Sequence, residues 1–97
     1  MVSHDLPGRR LPLGQVVITV PALAACLVAG VWPEELLARH VSGDWGDLCE
    51  EDRRANHIAV TCGSRVLSAY VLPSGVRLWC ITEADRSVTT LLLPDEY

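Results

Sequence analysis

Pro21 stands near the middle of an uncharged run covering residues 11–33, and it decides how that run can fold. A run of this length is a legitimate membrane-span candidate, because roughly 18 or more apolar residues cross a bilayer. Proline has no amide hydrogen to give a central sheet ladder or a helix interior, yet it fits the first turn of a helix. Gly14, Gln15 and Thr19 interrupt the same run, and in hydrocarbon each polar group needs a partner within the protein. The economical division is a β-branched strand over residues 15–20 and an alanine-rich helix over 22–29, with Gly30 as its stop. The helix also contains Leu23-Ala24-Ala25-Cys26, which has the form of a bacterial lipobox, and Arg9-Arg10 precede the run as a signal-peptide n-region does. An exported lipoprotein modified at Cys26 is therefore a competing expectation. Cleavage there would leave residues 27–32, all apolar or glycine, directly after the anchor and would delete the strand. The division at Pro21 instead makes Cys26 a buried thiol in a cytoplasmic protein.

Beyond this run the period of apolar residues changes once, at Arg65. Pro33 in a first turn, Glu34 and Glu35 at the positive end, and Arg39 and His40 at the negative end mark a second short helix. Leu36, Leu37 and Val41 supply its apolar face. Residues 42–47 are a turn-rich connector. A third helix over 50–62 opens with Glu50, Glu51 and Asp52, finishes with Ile58, Ala59 and Val60, and stops at Gly63. From Arg65 onward the pattern is that of strands: 66–72 and 76–82 around Pro73-Ser74-Gly75, then 87–93 after a reversal at residues 83–86. A three-strand meander leaves one apolar face bare, so the helices are expected to cover it, with the first strand added at an edge. The predicted fold is α+β in the order β-α-α-α-β-β-β, an antiparallel three- to four-stranded sheet packed against short helices. Residues 1–12 read as a flexible N-terminal arm and 13–97 as one domain.

Charge narrows the function classes. Twelve acids against eight arginines, with no lysine, give a net charge of -4, which speaks against direct nucleic-acid binding. No glycine-rich phosphate loop, Walker motif or helix-turn-helix signature is present. Cys26, Cys49, Cys62 and Cys80 form no C-x-x-C pair and lie in or beside apolar segments, which reads as buried free thiols. Cys49, His57 and Cys62 fall on or next to one helix, but their spacing matches no common zinc pattern, and no signature links a cysteine to a histidine. No metal, no cofactor and no catalytic residue is expected.

Two polar stretches stand out. Asp44-Trp45-Gly46-Asp47 places two carboxylates and an indole in a glycine-flanked turn. It is either an exposed recognition loop, or Trp45 plugs the core while Asp44 or Asp47 caps the third helix. Glu83, Asp85 and Arg86 occupy the second reversal, where an Asp-Arg ion pair and an aspartate bonded to its own backbone are ordinary turn chemistry. Asp44, Asp47, Asp52, Glu83 and Asp85 would suit a divalent ion if they converged, but no spacing demands it. The candidate binding residues are Asp44, Trp45, Asp47, Asp52, Asn56, Glu83, Asp85 and Arg86.

Residues 40–48 with Asp52 and Asn56, and then residues 79–94 (WCITEADRSVTTLLLP), resemble a family of small bacterial proteins common on plasmids and integrative elements. The resemblance covers about residues 13–97. Some members carry a label referring to type I restriction systems. It implies a soluble intracellular protein of the mobile gene pool and no known catalytic residues. On this reading the chain is a small acidic, non-enzymatic interaction or inhibitor protein whose partner belongs to a host or rival defence system, restriction or CRISPR, and an edge strand makes a homodimer an option. The element order is also broadly similar to small ribonuclease toxins of the RelE/ParE type, for which Arg65, Tyr70, Arg77 and Arg86 would supply the site. Those toxins are typically basic, unlike this chain.

Overall fold

A computed structural model describes residues 11–97, and the expected N-terminal arm lies outside the described residues up to residue 10. Leu11, at the arm's end, is buried against Trp45, Ala59 and Val66, so packing begins earlier than proline and glycine content suggest.

The elements are β1 (Gln15–Ile18), α1 (Val20–Ala29), α2 (Pro33–Val41), α3 (Glu50–Cys62), β2 (Val66–Val71), β3 (Arg77–Thr82) and β4 (Val88–Leu92), followed by a short 3-10 turn at Pro94–Glu96. This is the expected α+β order. Pro21 marks the joint between strand and helix: Thr19 is the N-cap of α1, its hydroxyl accepting the Ala22 amide at 3.2 Å, and proline sits in the first turn. Gly30 ends α1 with φ of 72°, a left-handed conformation that suits glycine. Among the described residues no single helix is long and apolar enough to cross a membrane; α1 and α2 together have the composition but are bent by 103°.

The sheet order is β1-β4-β3-β2. β2, β3 and β4 form the predicted antiparallel meander. β1 adds at the β4 edge but runs parallel to it, pairing Gln15 with Val88 through Ile18 with Leu91, so the sheet is mixed. The physical reason is the long connection: three helices lie between β1 and the meander, which is enough chain to return it in either direction.

One face of the sheet carries Tyr70, Leu72, Leu78, Cys80 and Leu91, which meet Ala22 and Cys26 of α1 and Leu36 of α2 in the main core. The other face is partly covered by the chain's own end. Tyr97 lies edge-to-face with Trp79 at 5.8 Å, and Arg65 stacks over the Tyr97 ring and donates to its hydroxyl. Glu96 accepts from the Thr19 hydroxyl at 2.9 Å, tying the C-terminal turn to the start of α1.

Candidate functional site

β2 is an edge strand, so the N–H and C=O groups of Leu67 and Ala69 that face away from β3 need partners or water. The stretches singled out in the sequence supply those partners. The Asn56 side chain, on the inner face of α3, donates its amide to the Leu67 carbonyl at 2.7 Å and accepts the Leu67 N–H at 3.2 Å. Ala69 N–H donates to the Trp45 carbonyl at 3.0 Å, and Asp47 N–H donates to the Ala69 carbonyl at 2.7 Å. Gly46 thereby forms a one-residue parallel bridge with Ala69. Its φ is 76°, and a Cβ there would run into the Ala69 carbonyl oxygen, so glycine is required.

Around this closure each polar side chain has a structural task. Asp44 takes a two-point ion pair from Arg39, at 2.7 and 3.2 Å, and also accepts the Gly46 amide. The Arg39 guanidinium holds the Asp44 carboxyl below its ordinary range. Arg39 lies over the Tyr70 ring at 4.5 Å, and the Tyr70 hydroxyl donates to the Asp44 carbonyl at 2.7 Å. Tyr70 is buried, which raises its pKa. Trp45 is the core plug rather than an exposed recognition residue. It is 1% exposed, with the His40 and His57 rings edge-to-face against it, and its indole Nε1 has no hydrogen-bond partner among the described residues. Asp47 does not cap α3. It pairs with Arg77 across the strand edge at 2.7 Å, and the N-cap of α3 is Cys49, which makes no side-chain cap bond, with Glu50, Glu51 and the exposed Asp52 in the first turn.

The second reversal is equally structural. Asp85 accepts from the Ser87 amide and hydroxyl, at 3.0 and 2.6 Å, as turn chemistry predicts. It does not pair with Arg86. Arg86, at φ 61°, reaches over to the C-terminus of α3 and donates to the carbonyls of Ala59 and Ser64 at 2.8 and 2.7 Å. Glu83 pairs instead with Arg65 at 3.6 Å. The five acids therefore do not converge, and among the described residues no group of three potential ligands surrounds one point. Cys49 and Cys62 flank α3 from opposite ends and are exposed, a correction to the reading of four buried thiols; Cys26 and Cys80 are buried, and burial pushes the Cys80 thiol up to about 12. Of the four toxin-type residues, Tyr70 is buried on the helix side while Arg65, Arg77 and Arg86 are held by Glu83, Asp47 and backbone carbonyls.

A buried polar chain passed unnoticed in the sequence. His40 is fully buried: Nδ1 lies 2.6 Å from Ser68 Oγ and Nε2 2.9 Å from Thr82 Oγ1, which is 2.7 Å from Thr89 Oγ1. Thr89 donates to the Leu13 carbonyl at 2.7 Å. That last bond fixes the direction of all the others. Thr89 has one hydrogen, so it accepts from Thr82; Thr82 then accepts from His40 Nε2–H; and Nδ1 accepts from Ser68. Burial and the nearby Arg86 charge lower the His40 pKa to about 4, so it is a neutral core residue and not the helix-end cation its position suggested. The signal was available: Ser68, Thr82 and Thr89 are hydroxyls at inward positions of three strands, and such groups need a partner.

No family model, no curated protein and no solved structure matches this chain.

Proposed function

We propose that the protein acts by binding a basic surface of another protein, without catalysis of its own. The observation that supports this is the division of its charges. Among the described residues every arginine is engaged by the chain itself: Arg39, Arg54, Arg65 and Arg77 by carboxylates, Arg53 and Arg86 by backbone carbonyls. Among the described residues Glu34, Glu51, Asp52 and Asp95 have no such partner, and the net charge of the chain is -4. Among the described residues, charge free to meet a partner is thus negative. Carboxylates presented in this way complement the surfaces that nucleic-acid-binding proteins use for phosphates, and they steer encounter with them.

The resemblance to proteins of plasmids and integrative elements supports a cytoplasmic partner within a restriction or CRISPR complex. Affinity capture from the native host tests this reading. Recovery of a nucleic-acid-binding protein complex is expected, weakening as salt rises and with the triple change Glu34→Gln, Glu51→Gln, Asp52→Asn. Capture of ribosomes or RNA alone would overturn it.

A further inference from the structure

The two edges of the sheet are treated differently. The β2 edge is closed by Asn56 and the Trp45–Asp47 backbone, whereas among the described residues nothing pairs with the outer side of β1. Gln15 N–H donates to Ser87 and Thr19 N–H to Leu91, and the alternation of a ladder then turns the amides of Val16 and Ile18 outward. Val16 and Val17 are each 40% exposed.

α1 continues from this open edge and, among the described residues, also lacks a cover. Ala22 and Cys26 face the core. Val20, Leu23, Ala24, Leu27 and Val28, spaced as one helical stripe, face outward. Val20 is 80% exposed, Leu27 68% and Val28 83%, with Trp32 at 68% just past the helix. A shallow pocket of about 230 Å³ lies beside the stripe between Leu27 and Trp32. Single exposed apolar residues are ordinary, but a contiguous stripe of them marks an interaction surface.

We infer that this surface is a homodimer interface, with α1 packing on the partner's α1 and the open β1 edge pairing with the partner's β1. Self-pairing suits its chemistry. A two-fold axis places the same patch on itself, and residues 11–33 carry no charge, so the contact brings no like charges together although each chain has a net charge of -4. The edge is self-complementary too, since antiparallel pairing of two identical strands satisfies outward N–H and C=O groups on both. A bilayer fits less well. It would take the helix stripe but strand the outward amides of β1, and no basic side chain within residues 11–33 is there to meet lipid headgroups.

Sedimentation equilibrium of the full chain, with Val28→Glu and Val16→Pro alongside, tests the inference. Val28→Glu places two carboxylates across the axis; Val16→Pro removes an outward amide while sparing the ladder to β4. The expected result is a dimer of twice the 10.6 kDa chain mass, weakened at least about tenfold in each variant with the far-ultraviolet circular dichroism unchanged. A monomeric parent protein at about 100 μM, well above the Kd of a standard interface, would overturn the inference. So would a dimer that survives both substitutions, or a parent protein that co-sediments with phosphatidylcholine vesicles. Capture of a basic partner is a separate readout, so this proposal and the one above fail independently.

Discussion

Asn56 makes both hydrogen bonds to Leu67 through a single carboxamide, so its replacements separate loss of a bond from repulsion. Asn56→Ala leaves a partly buried N–H and C=O without partners and is expected to cost about 2 kcal/mol. Asn56→Asp keeps the shape, but an ionised carboxylate has no hydrogen for the Leu67 carbonyl and sits in a site 5% exposed, so it is expected to cost more than alanine. Urea denaturation at pH 7 and one protein concentration ranks the two; alanine ranking worse would deny the donor role. The thiols give a second test at this scale. Native-state alkylation should modify Cys49 and Cys62 and spare Cys26 and Cys80 until denaturant is added, read by intact mass. Pro21 and Cys26 were legible residue by residue because proline's missing amide acts locally. Asn56, Arg86 and His40 were not, because each takes its meaning from a group brought near by the fold, and a single sequence records the residue without its partner.

The same contrast appears between elements. Helix and strand positions followed from capping residues, glycine stops and the change from helical to alternating period, all of which are local. The parallel pairing of β1 with β4 was missed, since it depends on how the intervening helices return the chain. The closure of the β2 edge by residues 45–47 was missed for a related reason: a one-residue bridge has no periodicity to detect. Arg86 joins two elements and supports a prediction here. From the β3–β4 reversal its guanidinium holds the Ala59 carbonyl of α3 and the Ser64 carbonyl just beyond the helix, while its backbone sits in the left-handed region that costs a non-glycine residue roughly 1 kcal/mol. Arg86→Ala should lose the cap and keep the strain. Arg86→Gly should lose the cap and relieve it, and so be more stable than the alanine variant by about 1 kcal/mol in thermal or urea unfolding. Equal stabilities would mean that the conformation at residue 86 carries no strain.

At the scale of the whole molecule, the buried chain from Ser68 through His40, Thr82 and Thr89 to Leu13 links β2, α2, β3, β4 and the segment before β1, so its protonation state is felt as global stability. The folded pKa of His40 is about 4 against 6.5 for a free side chain. Between those values the unfolded chain takes up a proton that the folded one refuses, so stability is fully present above pH 6.5 and is lost as pH falls toward 4. By linkage, the loss from pH 7 to pH 5 is about 2 kcal/mol. Asp44, whose carboxyl is held low by Arg39, acts with the same sign but at more acidic pH, since its stabilisation is lost only as pH falls through the carboxylate range. The two contributions are therefore separated along the pH axis. Urea unfolding of the parent protein and of His40→Gln, at pH 7 and pH 5 and a fixed chain concentration, resolves the first. Glutamine has both a donor and an acceptor for Thr82 and Ser68 but no titration in this window, so the variant should be less stable at pH 7 and lose less on going to pH 5. If the two proteins lost the same amount, the proton uptake would belong to another group, and the imidazole would not be the neutral Nε2–H donor that the direction of the hydroxyl chain requires.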